Sequence, residues 1–280
     1  MSIKVIDEHV SHPDQAFRFL RFACAPQPGR WHRHPQLELT WIERGAGIRY
    51  VGDSVAPFMD GDLALIGPDL PHIWDIAPQD GEAVDVTVLQ FPEQLCQLAQ
   101  LPEMSDMHDV LRRSRAGLRI DGACREDITA LLAQMRAQTP LRRLGLMIEV
   151  MALLAEHPDA QHRLASAPQR AAGSMSGKRI DPVIDWIHAN LGHTLRAEEG
   201  ARVACITPAA FSRFFQRETG KPFSVYVSQA RCSAACLVLL RSDKPVALIA
   251  QECGFATQSN FNRQFLAHTG LTPRDYRRQR

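Results

Sequence analysis

A repeat near the C-terminus narrows the fold of this chain more than any other feature. Phe211, Arg213, Phe215, Thr219, Gly220 and Tyr226 recur at a constant offset as Phe261, Arg263, Phe265, Thr269, Gly270 and Tyr276. The shared pattern, F-x-R-x-F-x-x-x-T-G followed by an aromatic residue, is the mark of a duplicated supersecondary unit. The two phenylalanines of each copy stand i, i+4 and share one helix face, the buried one, while the arginine projects from the other side. Each Thr-Gly pair closes its helix, because glycine fits the left-handed C-terminal cap. A short helix and a tight turn are expected before each copy, at 198–204 and 246–252. Thr207 and Pro208 make a good start for the helix that follows, one as cap and the other in the first turn. Helix, turn and a second helix with outward arginine and polar residues is a helix-turn-helix, here present twice.

Charge supports a division of labour. Residues 1–173 hold 17 Lys/Arg against 23 Asp/Glu, a net of −6, whereas residues 174–280 hold 15 against 8, a net of +7. The whole chain, at +1, conceals this split. A basic half carrying helix-turn-helix units is suited to an anionic partner. The opening MSIKVIDEHV is charged where a secretory leader would be apolar, and no uninterrupted run approaches the roughly 18 apolar residues of a membrane span, so a cytoplasmic protein without a membrane partner is expected. Seven cysteines with no C-x-x-C pair read as reduced thiols rather than a disulfide framework. Cys232 and Cys236 share a helix face, where packing is the commoner role and a thiol or zinc site the rarer one.

The segment IAQECGFATQSNFNRQFLAHTGLTPRDYRR at 249–278 resembles the signature of the AraC/XylS family of bacterial transcription regulators. The resemblance extends over about 100 residues, from Ile180 to Arg278. It implies a seven-helix domain in which a long helix, near 224–241, joins the two units and the second helix of each enters the major groove. Carried over residue by residue, the first recognition helix offers Ala209, Ser212 and Arg213. The second offers Gln258, Asn260, Asn262 and Arg263. Arginine pairs bidentately with guanine, asparagine and glutamine with adenine, and alanine can touch a thymine methyl. Arg202, Arg217, Lys221, Arg274, Arg277 and Arg278 are the candidates for phosphate contacts. Two positions depart from the family pattern: Gly200 replaces a large apolar residue, and Cys205 stands where the turn glycine is usual. Both point to a looser first unit.

The acidic half reads differently. Short apolar stretches (17–23, 37–43, 48–52, 62–67 and 84–91) alternate with Gly, Pro and Asp turns, which favours an antiparallel sandwich or barrel. The glycines at 45 and 47 suggest a tight hairpin. Helices are expected at 93–101, 105–115, 125–137 and 141–156, the last with an apolar stripe of Leu144, Met147, Ile148, Met151, Leu154 and Ala155. The polar stretch 157–178 reads as a linker. Domains at 1–156 and 179–280 follow, giving an α+β chain with an N-terminal barrel and trailing helices before an all-α C-terminal domain.

Within the strand region, His32-x-His34-x3-Glu38-x6-Gly45, then Gly61 and Pro71-His72, resembles the two motifs of the cupin fold. Pro26, Gly67, Asp69 and Ile76 depart from it. Such barrels precede AraC-type DNA-binding domains, so the two resemblances agree. Strand parity puts His32, His34 and Glu38 on one face, and His72 from a neighbouring strand would complete three imidazoles and a carboxylate, a set suited to one divalent transition metal such as Zn, Fe, Ni or Mn. The same groups could instead hydrogen-bond an effector, form a metal-free network or line the barrel mouth. Trp31, Trp41 and Trp74 would suit stacking on a sugar ring, although core packing is commoner. The leading expectation is therefore a sequence-specific, DNA-binding transcriptional regulator and not an enzyme. Its partners would be double-stranded DNA, a small-molecule effector (a sugar among the candidates) or metal, a second copy through the 93–156 helices and, for an activator, RNA polymerase. The alternative is a cupin-type metal-dependent enzyme with a basic DNA-tethering tail.

Overall fold

The computed structural model describes residues 17–24, 31–76, 84–96, 102–166 and 174–278. The apolar stretches of the first half become strands β1 (Arg18–Cys24), β2 (Gln36–Arg44), β3 (Gly47–Val51), β4 (Ser54–Phe58), β5 (Leu63–Ile66), β6 (His72–Ile76) and β7 (Val84–Pro92). Helices α1 (Glu93–Cys96), α2 (Met107–Ser114), α3 (Gly122–Met135) and α4 (Pro140–Glu156) follow, with β8 (Leu118–Ile120) between α2 and α3 and β9 (Gln161–Arg163) after α4. A six-stranded sheet runs β1-β7-β2-β5-β8-β9 and a three-stranded sheet runs β4-β3-β6, every pairing antiparallel.

Strand alternation sorts side chains between layers. On β2 and β7, Leu37, Leu39, Leu89 and Phe91 face one way and bury against Val110, Ile128, Leu132, Met147, Val150 and Leu154 of the helices. Ile42, Val84, Val86 and Val88 face the other way and form the core between the sheets with Val51, Phe58, Ile66 and Trp74. A buried ion pair of Arg49 with Asp62 lies between β3 and the turn before β5. The apolar stripe on α4 is split: Met147, Met151 and Leu154 are buried, while Ile148 remains exposed.

Three expectations are corrected. The glycines at 45 and 47 do not make a hairpin: β2 pairs with β5 and β7, β3 with β4 and β6, so this turn carries the chain from one sheet to the other. The tight hairpin is instead at Gly52-Asp53, closing β3 onto β4. Residues 157–166 are not linker, because β9 pairs with β8 and Ala165 is buried. A polar strand at a sheet edge has no apolar period to betray it, and α5 (Ser174–Ala189) already begins at 174, with 167–173 outside the described residues. Residues 97–101 of the expected first helix, and Pro26, also lie outside them.

The C-terminal half continues with α6 (Ala197–Val203), α7 (Pro208–Thr219), α8 (Phe223–Arg241), α9 (Val246–Glu252), α10 (Gln258–Thr269) and α11 (Pro273–Arg277). Helices α6–α7 and α9–α10 are the two helix-turn-helix units. The repeat holds at atomic detail. Gly220 and Gly270 cap their helices at φ 77° and 75°. Thr219 and Thr269 each donate a hydroxyl hydrogen bond to the carbonyl four residues back, at 2.8 and 2.9 Å. Helix α8 is long and apolar enough to cross a membrane, yet it is the shared core helix: its first half packs in the first unit and its second half in the other. There Cys232, Cys236 and Cys253 are buried, and burial pushes their thiols up to about 12, 12 and 11, as expected of packing groups.

One apolar core spans both halves of the chain. Ala46, Ile48, Tyr50, Val55 and Ile73, on the outer face of the three-stranded sheet, and Trp31 join Ile180, Val183, Ile184, Ile187, Phe211, Phe215 and Tyr226 of the helical domain. The Tyr50 ring stacks on His188 at 3.9 Å, and Ser233 Oγ donates to the Val55 carbonyl across the same seam at 3.2 Å. Burial drives His188 down to about 3, which favours its neutral form.

Gly200 is an integral part of this packing rather than a weak point. A Cβ there would lie 2.5 Å from Cζ of the buried Phe211 ring, so the ring occupies the space a larger side chain would need. Cys205 does adopt the left-handed conformation, φ 55°, of the turn position. Gly200→Ala should cost about 1–3 kcal/mol of stability by overpacking, measured by urea denaturation. His188 supplies a pH test. Its folded-state value lies below the unfolded value of 6.5. As pH falls below about 6, the unfolded chain takes up a proton that the native state refuses, and stability should fall by about 1.4 kcal/mol per pH unit. His188→Phe should remove that portion of the slope between pH 6 and 4.5; an unchanged slope would refute the assignment.

Candidate functional site

His32, His34, Glu38 and His72 converge between the sheets, and one ligand-capable atom from each lies within 4.8 Å of the others. Imidazole centroids are separated by 5.8 Å for His32–His34, 4.2 Å for His32–His72 and 5.2 Å for His34–His72. The route differs from the strand parity expected. Residues 31–35 are not in a strand. They are held instead by a bridge between His32 and His72 and by the Asp69 N–H donating to the His34 carbonyl at 2.8 Å. Asp69 makes this bond at φ 56°, a left-handed conformation that aspartate tolerates where the cupin pattern has glycine.

Backbone carbonyls fix two tautomers. His34 Nδ1 lies 3.1 Å from the Gln36 carbonyl and His72 Nδ1 lies 2.8 Å from the Leu70 carbonyl, so each Nδ1–H donates and each Nε2 faces the site. His34 Nε2 is 3.0 Å from Glu38 Oε2. His72 Nε2 sits 3.6 Å from Glu38 Oε1, too far for a hydrogen bond, and is buried without a partner among the described residues. Burial alone would raise the Glu38 carboxyl. The neighbouring His72 and the contact with His34 outweigh it and hold the group well below the usual range; His34 Nε2 donates in that contact only when the ring carries both protons.

Two more residues belong to it that the motif did not reveal. Thr40 Oγ1 donates to Glu38 Oε1 at 2.6 Å, and Gln90 Nε2 donates to Glu38 Oε2 at 2.8 Å. Thr40 shares the parity of Glu38 on β2, and Gln90 is the register partner of Glu38 on β7. The available signal was the polar Gln90 ending the inward row Val84, Val86, Val88. Of the three tryptophans, Trp74 stands edge-on to His72 at 5.8 Å, with Nε1 buried and unpartnered among the described residues. Trp31 is buried in the core shared by the two halves, and Trp41 faces the helices under the Arg136 guanidinium. Trp41 has odd parity relative to Glu38 on β2 and so faces away from the site, whereas Trp31 is held in the shared core by its packing.

Ala209, Ser212 and Arg213 on α7, and Gln258, Asn260, Asn262 and Arg263 on α10, are all exposed. Thr257 caps α10 by accepting from the Asn260 N–H, and Arg263 donates to Asn260 Oδ1 at 3.0 Å, which orders both side chains at the reading face. Arg202, Arg217, Arg274 and Arg278 are exposed as well. Lys221 and Arg277 are less exposed. Lys221 Nζ is half-buried and bound to Gln229 beside Asp53 of the β3–β4 turn. Arg277 donates to the Lys244 carbonyl and so ties α11 to the loop before α9.

Both halves of the chain match known families. The AraC-like ligand binding domain family matches residues 18–154, and a helix-turn-helix domain family matches residues 201–279. The chain belongs to the AraC family of transcriptional regulators. It is 26% identical over 255 residues to the HTH-type transcriptional activator RhaR of Yersinia pestis, covering 89% of this chain and 84% of that one. It is 31% identical over 94 residues to the HTH-type transcriptional regulator YobQ of Bacillus subtilis, covering 34% and 39%. The solved structure of ToxT from Vibrio cholerae aligns over 94% of this chain and 98% of that one, at 11% identity and a TM-score of 0.38. This AraC-type protein is thus a DNA-binding regulator with an N-terminal ligand-binding domain, and the enzyme alternative is set aside.

Sorting the arginines gives a direct test on duplex DNA. Arg263→Ala should cost about 1–3 kcal/mol on a specific site and relax preference at one base position. Arg278→Ala should weaken specific and scrambled duplexes alike, measured by mobility shift. Equal losses for both variants on both duplexes would show the sorting to be wrong.

Proposed function

We propose that this regulator carries a divalent transition-metal site in its N-terminal domain, held by His32, His34, His72 and Glu38, and that occupancy of the site controls DNA binding. The observation that carries the reading is the pair of imidazoles anchored by Nδ1 to backbone carbonyls, the second-sphere arrangement that prepares Nε2 for a metal. The orphaned Nε2 of His72 and the Glu38 carboxyl 3.6 Å from it fit the same purpose. Three nitrogens and one oxygen suit zinc and its first-row neighbours. A bound ion would supply charge that fixes the separation between the 31–34 segment and β6.

A second reading has its own support. Trp74 Nε1 can donate and Gln90 Oε1 can accept, and both are buried without partners among the described residues. An organic effector bearing hydroxyl groups, a sugar among them, would satisfy both. In either reading the protein acts in the cytoplasm as a homodimer, since Leu141 and Ile148 leave α4 with an exposed apolar side and paired protomers read paired half-sites. As an activator it would also contact RNA polymerase.

Metal analysis of the purified full-length protein decides between the readings. Near-stoichiometric metal is expected. His34→Ala should remove it while leaving the folded helical domain and its basal DNA binding. Affinity for the metal should fall as the pH is lowered, because imidazole must be neutral to coordinate. A metal-free protein that is stabilised by a polyol, and loses that response in His34→Ala, would support the effector reading instead.

A further inference from the structure

The residues that flank the site are the residues that seal the two halves together. His32 and His72 point into the site, and their chain neighbours Trp31 and Ile73 are 4% and 1% exposed in the core shared with the helical domain. Ile73 stands in register with Tyr50. From Tyr50 a continuous run of aromatic contacts leads to the first recognition helix. Tyr50 stacks on His188 and lies 5.9 Å from Tyr226, Tyr226 meets Phe215 edge-on at 5.5 Å, and Phe215 lies 5.7 Å from Phe211. Phe211 and Phe215 are the buried face of α7, whose other face exposes Ser212 and Arg213.

The second helix-turn-helix is built on a separate core. Phe255, Phe261 and Phe265 pack with Cys232, Cys236, Leu239 and Ile249 and with no residue of the three-stranded sheet within that cluster. Its thread to the sheet is polar, from His268 Nε2 to Ser233 Oγ and on to the Val55 carbonyl.

We propose that the two DNA-reading units are regulated unequally: occupancy of the histidine-glutamate site is transmitted through β6, β3 and the Tyr50–His188–Tyr226–Phe215 run to the first unit, while the second reads DNA independently of it. The proposal rests on the reading of that site as a ligand site. Packed side chains and rigid strands are the physical carriers of such coupling. A bound ligand that changes the spacing of His32 and His72 shifts Trp31 and Ile73 by direct backbone connection, with no hinge between.

Hydrogen exchange on the full-length protein, with and without zinc, tests this. Zinc should change exchange in residues 180–227 by a factor within the range of about 5–150 typical of coupled sites, and leave residues 246–278 within about twofold. On duplexes with one half of the footprint scrambled, only the half read by α7 should show zinc-dependent affinity. Tyr50→Leu, and the milder Ile73→Val, should bind zinc with unchanged stoichiometry and show a reduced transmitted change. Zinc bound without any change in 180–227, or with an equal change in 246–278, would overturn the proposal. If zinc does not bind, the ligand reading of the site is what fails for this ion. The transmission is then judged by His72→Phe, which must move exchange in 180–227 selectively; an unmoved 180–227 overturns it there too.

Discussion

Everything in this structure hangs on the alternation of side chains across one small sheet. The strands β3, β4 and β6 present Arg49, Val51, Phe58, His72 and Trp74 to the space between the sheets, and Ile48, Tyr50, Val55 and Ile73 to the helical domain. A strand can serve two cores at once because its side-chain period is two, and a slip of one residue would exchange the two sets. Here such a slip would bury the aromatic seam inside the ligand domain and turn the histidine outward. The register of β3 against β6, with Val51 opposite His72 and Tyr50 opposite Ile73, is therefore the constraint on which both site and seam depend.

The seam is built to persist. Stacked and edge-on aromatic pairs contribute about 0.5–1.5 kcal/mol each beyond the area they bury, and Tyr50, Tyr226, Phe211 and Phe215 are fully buried. Burial in such a place favours a neutral histidine, and it pushes His188 down to about 3. The DNA-reading faces, by contrast, are left open to solvent. The ligand domain grips the helical domain from behind without covering Arg213 or Arg263.

Much of this was legible in the residues. The phenylalanine, arginine and Thr-Gly spacings gave both helix-turn-helix units, since local capping and i, i+4 packing are written in adjacent residues. The four groups of the site were legible through their motif, although the bridge that brings His32 to His72 is a tertiary contact no periodicity encodes. What the sequence hid was long-range. Gly200 looked like a defect because its justification, the Phe211 ring, comes from another helix. Trp31 and Trp41 looked like ligand-stacking groups because parity in an irregular segment, or across a sheet, is settled only by the packing partner. Lys221 and Arg277 carry the expected charge, and their bonds to Gln229 and to the Lys244 carbonyl are contacts that no local pattern announces. Edge strand β9 was polar throughout and read as linker.

The shared core also bears on how such chains can be recombined in evolution. In this chain Trp31, Tyr50, Val55 and Ile73 belong by sequence to one part and by packing to the other. An exchange at the 167–173 boundary would leave each half with an apolar face fitted to a partner it no longer has. The unit that can be inherited intact is then the helical domain together with the sheet that supports it, and a crossover preserving function must carry β3, β4 and β6 along.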